Sequence, residues 1–110
     1  MDERARRIGE NEALYRSVNE KIEALSAAFG VITETMSVVC ECGNASCAEQ
    51  IEVSIPDYER IRSEPTLFII RPGHEIPDVE EVVERNDAFH VVKKVEGAAA
   101  ALARKTDPRG

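Results

Sequence analysis

The sequence predicts an α+β fold, in which one long N-terminal helix precedes a small, mostly antiparallel β module that contains a short internal helix and ends in another. Three observations carry this prediction. Apolar residues recur at spacings of three and four through residues 3–29, which is typical of a helix. After residue 30, short β-rich runs alternate with turns. All three cysteines lie close together, between Cys40 and Cys47.

Length and composition set the size of the core. The chain has 110 residues, enough for one domain. Hydrophobic residues make up 43% but aromatic residues only 5%, so the core has to come mainly from aliphatic side chains. Such thin cores often need a further cross-link. We expect one folding unit with an N-terminal amphipathic helix (1–30), a β-rich metal-binding module (31–97) and a short helix with a loose tail (98–110).

Charge and cysteine content limit the class of protein. The net charge is −7, which disfavours general nucleic-acid binding because that binding relies on cations that meet phosphates. An odd number of cysteines does not suit a secreted disulfide framework, and the N-terminus lacks the apolar stretch of a signal peptide. No run approaches the roughly 18 apolar residues of a membrane span. We therefore predict a cytoplasmic protein whose thiols stay reduced.

The N-terminal helix is predicted over residues 3–29, with Gly30 at the position of a C-terminal stop. Its apolar stripe consists of Ile8, Tyr15, Val18, Ile22, Leu25 and Phe29. We favour the interpretation that this stripe covers the sheet of its own domain. The alternative is a homodimer or a protein partner bound through Tyr15, Val18, Ile22 and Leu25. Asn11 interrupts the stripe and would set the register of such a pairing.

The first half of the module contains two predicted strands and a helix. Residues 36–40 form a strand that leads into the cysteine turn, and residues 50–54 alternate polar and apolar side chains as a half-buried strand does. Ser54 is a candidate N-cap for a short helix over residues 56–63. Tyr58 and Ile61 are expected in the core.

The second half continues with a β-rich run over residues 67–70. Residues 79–85 fit either a helix or an irregular strand, and we favour a hairpin that pairs 82–84 with 89–92. The strand over 89–95 is expected to place Phe89, Val91 and Val95 on one face. An Ala-rich helix is predicted over residues 98–104, as helix propensity favours.

The cysteines and one histidine supply a complete tetrahedral ligand set for zinc. Cys40, Cys42 and Cys47 lie on what would be a zinc-knuckle-like turn, although their spacing differs from the usual Cys-x-x-Cys pair. The fourth ligand is His74, on a Pro-Gly-His turn, or His90, within a predicted strand. We favour His74 because a turn can aim an imidazole at a neighbouring loop.

Three thiolates on Zn²⁺ leave a net charge of about −1, which surrounding groups should offset. Backbone amides near Asn44 and Ala45, or Arg71, are the candidates.

The chain also resembles a family of small, uncharacterised actinobacterial proteins with a helical N-terminus and a Cys3His zinc-binding module. The similar segments are Asn11–Arg16, Val18–Glu20, Cys40–Gly43 with Cys47, Asp57–Glu59, Arg71–Glu75, Val82–Arg85, Val91–Lys94 and Asp107–Arg109. The resemblance implies that His74 belongs with the cysteines. It implies no particular activity.

These features favour a non-enzymatic structural-zinc protein that acts as a protein-protein interaction or regulatory module. One alternative is a thiol-based redox or zinc sensor, because closely spaced thiolates can oxidise and release zinc. A zinc-dependent hydrolase is less favoured. It would need an open metal position, with His74 and Glu75 as acid–base groups, and thiolates that donate charge make zinc a poor Lewis acid.

Overall fold

The computed structural model describes residues 3–28, 35–44 and 46–109. The described elements are α1 (Glu3–Ala28), β1 (Thr35–Val39), β2 (Gln50–Ser54), α2 (Ile55–Arg62), β3 (Leu67–Ile70), β4 (Glu80–Arg85), β5 (His90–Lys94) and α3 (Ala98–Lys105). The predicted α+β class is confirmed. The expected helix stop at Gly30 and the place of Phe29 lie outside the described residues. Within the described ranges, no helix is long and apolar enough to cross a bilayer.

The strands form two antiparallel sheets. β1 and β2 pair as a two-stranded ribbon, and their inward side chains alternate with exposed ones as the sequence predicts. The other sheet has the order β3-β5-β4. The favoured hairpin over β4 and β5 is confirmed, with Val82 opposite Val92 and an irregularity before Glu84, which lies opposite Val91. The ambiguous segment 79–85 is therefore mainly strand.

The apolar core lies between the sheets and α2. Ser54 caps α2, since its hydroxyl accepts a hydrogen bond of 3.1 Å from the Asp57 amide. Tyr58 and Ile61 of α2 are fully buried, as expected. The remaining buried apolar side chains come mostly from the strands and the cysteine loop: Met36, Val38, Cys40, Cys42, Cys47, Ile51, Val53, Phe68, Ile69, Ile70, Phe89, Val91 and Val92.

Helix α1 docks on the domain through a mainly polar face. Glu12, Arg16 and Asn19 are buried, whereas Val18 and Leu25 of the predicted stripe are 38% and 58% exposed. Ile8 is buried and Ile22 packs against the core, so part of the stripe does cover its own domain, but the expectation is wrong for Val18 and Leu25. The three polar side chains can be buried because each forms hydrogen bonds with other elements, which offsets most of the penalty of burying it; Nε of Arg16 is the exception.

Two of these polar residues make hydrogen bonds with the backbone. The Arg16 guanidinium donates to the carbonyls of Pro65 at 2.6 Å and Ala103 at 2.8 Å, and it lies 4.6 Å from the centroid of the Phe68 ring. The Asn19 amide both donates to and accepts from the backbone of Val39, at 2.7 Å each. The Asn19 bonds hold α1 against the end of β1, and the Arg16 bonds hold it against α3 and the segment before β3.

The third polar residue belongs to a buried charge cluster. The ammonium group of Lys94, on β5, contacts the carboxylates of Glu12 on α1 and Glu80 on β4. All three side chains are at most 2% exposed. Strand alternation predicted Val95 on the inward face, but Val95 is 40% exposed and Lys94 is buried instead. The two carboxylates supply the partners that a buried ammonium requires.

The C-terminal tail, expected to be loose, makes ion pairs with the domain. The guanidinium of Arg62, itself buried, donates to Asp107 at 3.1 Å. Arg109 contacts Glu20 of α1 and Glu59 of α2, each at 2.8 Å. The tail therefore links the first two helices.

Candidate metal centre

The three cysteines lie on the loop that joins β1 to β2. The base of this loop is closed by a hydrogen bond of 2.8 Å from the Cys40 amide to the Glu49 carbonyl, which continues the β1–β2 pairing. A turn inside the loop is closed by the Cys47 amide, 3.0 Å from the Asn44 carbonyl. Closely spaced ligands on such a turn have little loop-closure entropy to lose.

His74 reaches this loop from the turn after β3. Its amide donates to the Arg71 carbonyl at 3.1 Å, and Gly73 has a φ of +87° that a side chain would strain. The Glu41 amide donates to the Ile69 carbonyl at 2.8 Å, which holds the cysteine loop beside the end of β3. The turn therefore delivers the imidazole to the sulfurs.

The structure brings Cys40, Cys42, Cys47 and His74 together, with one ligand atom of each within 4.8 Å of the others. The Nδ1 atom of His74 lies 3.5 Å from Cys40 Sγ and 3.7 Å from Cys47 Sγ. In a tetrahedral zinc site, with sulfur at about 2.3 Å and nitrogen at about 2.0 Å from the ion, a sulfur ligand and a nitrogen ligand lie about 3.5 Å apart. The four residues could hold a metal ion with little rearrangement.

His90, the alternative fourth ligand, lies elsewhere. Its Nδ1 atom is 4.0 Å from a carboxylate oxygen of Glu75, and neither atom has a hydrogen-bond partner. His74 is therefore the histidine that the fold places with the cysteines. The cysteines are buried, whereas the His74 side chain is 30% exposed.

The thiols differ in acidity because they share hydrogen bonds. The hydrogen bond from Cys40, together with the Asn44 amide and His74, lowers the pKa of Cys42 to about 5. The hydrogen bond that Cys40 donates to Cys42 raises the pKa of Cys40, and burial raises it further. Burial also raises the pKa of Cys47. Metal binding would displace the protons that these coupled thiols still hold.

Backbone amides donate to the sulfurs, as the sequence suggested. The Arg71 amide lies 3.2 Å from Cys40 Sγ, and the Asn44 backbone hydrogen-bonds Cys42. Ala45 lies outside the described residues. These N–H groups offset part of the charge of three thiolates.

Glu49 is a functional candidate that the sequence did not reveal. Its carboxylate lies 2.9 Å from Nε2 of His74, the ring nitrogen that faces away from the sulfurs. A proton on Nε2 leaves Nδ1 free to bind a metal, and metal-binding histidines commonly donate to a carboxylate in this way. One acidic residue near a cysteine has no distinguishing pattern, so only the fold exposes this role.

Helix α1 contacts the loop that carries the three cysteines (residues 40–47) from the other side, and we call this loop the metal loop because its cysteines are candidate ligands. The Asn11 amide donates to the Gly43 carbonyl at 2.9 Å, so Asn11 contacts this loop, and its role in the register of a helix pair stays a prediction. Gly43 is required there, because a Cβ atom would lie 2.5 Å from Ile8. Glu41, fully buried between two ligands, accepts hydrogen bonds from Asn19 at 2.8 Å and from the Ile69 amide at 3.1 Å. Burial raises the pKa of this carboxyl.

Comparisons with protein-family models, curated proteins and solved structures found no match. The resemblance to the small actinobacterial family stays a prediction, and the function has to be argued from the site.

Replacing Glu49 by glutamine is expected to weaken metal affinity by about 10- to 100-fold, because the imidazole loses its charged orienting partner. Competition with a chromophoric chelator would measure this change. Glu52→Gln is the matched control, since Glu52 is exposed on β2. Equal affinities of the two variants would contradict the role of Glu49.

Proposed function

We propose that this chain is a non-enzymatic structural-zinc protein that acts as a protein-protein interaction module. The observation that carries the proposal is the Cys3His cluster, whose ligand atoms lie within 4.8 Å of one another. Three sulfurs and one nitrogen in a tetrahedron are the donors that zinc prefers. Three free, buried cysteines also suit a reducing compartment such as the cytoplasm.

A structural role is favoured over a catalytic one because four protein ligands close the coordination sphere. The orientation of His74 supports this role. Its Nδ1 atom faces the sulfurs while Nε2 faces Glu49, so the ring is committed to the cluster. A hydrolase would need this histidine, or another group, to leave a position for water.

The partner surface that we propose is the solvent-exposed apolar side of α1. The sequence suggested Tyr15, Val18, Ile22 and Leu25, but the Tyr15 hydroxyl donates to the Asn44 carbonyl and Ile22 packs against the core. Val18 and Leu25 stay exposed, and Leu14 joins them at 61% exposure. These three residues fall on one helical face because they are four and seven positions apart. Exposed apolar residues grouped in this way commonly mark interaction sites.

Cobalt substitution tests whether the site is closed. A four-ligand Cys3His site should give intense tetrahedral d–d bands that do not change when anions such as azide are added. His74→Ala should keep the metal with an open position, and its spectrum should respond to the same anions. A wild-type spectrum that shifts with azide would overturn the structural assignment and favour the hydrolase.

A redox or zinc sensor is the second candidate, and the surroundings of Cys42 favour it. A surface cavity of about 320 Å³ is lined by Cys42 and His74, which gives small oxidants a path to the centre. Peroxide would convert two thiolates to a disulfide and release the metal. Zinc release at low peroxide, measured with a chromophoric chelator, would support this function, and inertness of the loaded protein would remove it.

A further inference from the structure

The side of α1 that carries the exposed apolar residues also carries cations. Seven residues lie along this side with a heptad spacing: Arg4, Arg7, Asn11, Leu14, Val18, Lys21 and Leu25. We call this set the outward face. It contains three cations and no acidic residue, although the chain as a whole has a net charge of −7.

The N-terminal part of this face lines a groove of about 390 Å³ beside the metal loop. The groove walls are formed by Arg4, Arg7 and Asn11 on the helix, by Gly43 and Asn44 of the metal loop, and by Ile76. A groove of this size has room for a few side chains of a partner. Ile8 of the helix also lines the groove.

The cations of the outward face are largely available to a ligand. Among residues 3–28, 35–44 and 46–109, none forms an ion pair with Arg7 or Lys21. Arg6, on another side of the helix, differs because Glu3 and Glu10 hold it at 2.6 Å and 3.2 Å. Arg6 therefore offers an internal comparison.

Arg4 shows which chemistry the groove accepts. Its guanidinium lies 2.9 Å from the carboxylate of Asp78, and these side chains are 61% and 68% exposed. An exposed pair of this kind contributes little to stability, so a carboxylate of another molecule can replace Asp78 at small cost. Arginine binds carboxylates through paired, charge-assisted hydrogen bonds.

We infer that the outward face binds an acidic, amphipathic segment of a partner protein. Carboxylates of the segment lie at Arg4 and Arg7 in the groove and at Lys21 further along. Apolar side chains of the segment cover Leu14, Val18 and Leu25. The inference rests on the proposed function, because Gly43 and Asn44 of the metal loop line the groove, and it deepens that function by naming the chemistry of the partner.

Charge disfavours two other occupants. A second copy that pairs through the same face would bring cations against cations, because no acidic residue lies at the seven positions of the outward face. Nucleic acid would meet only three cations on a protein whose net charge is −7, too few for the phosphate contacts that such binding needs.

The test uses the metal-loaded full chain and a synthetic helical peptide with a leucine seam flanked by glutamates. Fluorescence anisotropy should show binding that weakens with added salt. The same peptide with glutamine in place of glutamate should bind at least about tenfold more weakly, because it lacks the charge-assisted contacts. Equal binding of the two peptides would overturn the inference.

Variants of the chain locate the binding on the outward face. Arg7→Gln and Leu25→Asp should each weaken peptide binding about tenfold, whereas Arg6→Gln should leave it unchanged. Asp78→Asn should strengthen peptide binding about two- to threefold, because it frees Arg4. Equal effects of the Arg7 and Arg6 substitutions would overturn the inference. Binding of a single-stranded DNA more tightly than the acidic peptide would also overturn it. So would a homodimer, detected by sedimentation, that the Leu25→Asp substitution dissociates.

Each variant is checked for bound metal and for its melting temperature. Loss of peptide binding with metal retained concerns the outward face alone. Loss of metal from the unsubstituted protein would instead count against the proposed structural-zinc function.

Discussion

Removing the metal with a strong chelator is expected to unfold the cysteine loop together with the β1–β2 ribbon and to lower the melting temperature of the whole chain. Structural zinc sites contribute about 10–16 kcal/mol at neutral pH. That range matches or exceeds the roughly 5–15 kcal/mol by which whole domains are stable. The effect should spread because the three cysteines are part of the same buried cluster as Val38, Ile51 and Ile69.

Circular dichroism before and after chelation measures this loss, and re-addition of zinc should restore the signal. Cys42→Ser should reproduce the unfolding, because it removes the sulfur that the Asn44 amide and the thiols of Cys40 and Cys47 contact. Ser46→Ala is the matched control, since Ser46 is exposed in the same loop. Identical spectra and melting temperatures with and without metal would contradict a stabilising site.

Lys94→Met is expected to be the most damaging substitution outside the metal centre, with a loss of about 3–5 kcal/mol at neutral pH. Lys94 is the cation between Glu12 and Glu80, and all three side chains are buried. Without it, Glu12 and Glu80 are left in the interior with no cation between them. Chemical denaturation would measure the change. The neighbouring Lys93→Met should cost less than about 0.5 kcal/mol because Lys93 is exposed, and equal stability of the two variants would contradict the account.

The same cluster makes stability depend on pH. Burial, with a further contribution from the charge of Glu80, raises the pKa of Glu12 to about 8 from its usual 4.5. Because the folded state holds this proton more tightly than the unfolded state, the stabilisation is complete below about pH 4.5 and is lost as the pH rises through 8. The free energy of unfolding should fall by at most about 1.4 kcal/mol per pH unit over this window. Glu12→Gln should flatten the decline, and an unchanged slope would show that another group causes it.

The secondary structure could be predicted from the sequence where local patterns carry the information. The polar–apolar alternation of residues 50–54 predicted β2, and Ser54 predicted the start of α2. The cysteine cluster could also be predicted, because its three sulfurs are close in sequence and need only one turn to meet.

The docking of α1 could not be predicted in the same way. Apolar spacing favoured a face with Val18 and Leu25, which are exposed, whereas Glu12, Arg16 and Asn19 are buried beside Ile8. Their partners lie far away in sequence, such as Ala103 for Arg16, so no local pattern shows that burial is possible. Propensity and periodicity report single elements, whereas a satisfied polar interface belongs to the assembled fold.

The groups around the candidate ligands were only partly predictable. Backbone amides were expected to contact the sulfurs, and the Arg71 amide does so. Glu49 and Glu41 gave no signal, because an isolated glutamate beside a cysteine is usually a solvated charge. Their roles depend on how the loop faces His74 on one side and Asn19 on the other.

Native mass spectrometry of the purified chain tests the central claim most directly, because it reports metal identity, stoichiometry and oligomeric state together. The account predicts one zinc ion per chain, retained in Ser46→Ala and lost in Cys42→Ser. A fully folded chain without metal, or a zinc content that does not change when Cys42 is replaced, would contradict it.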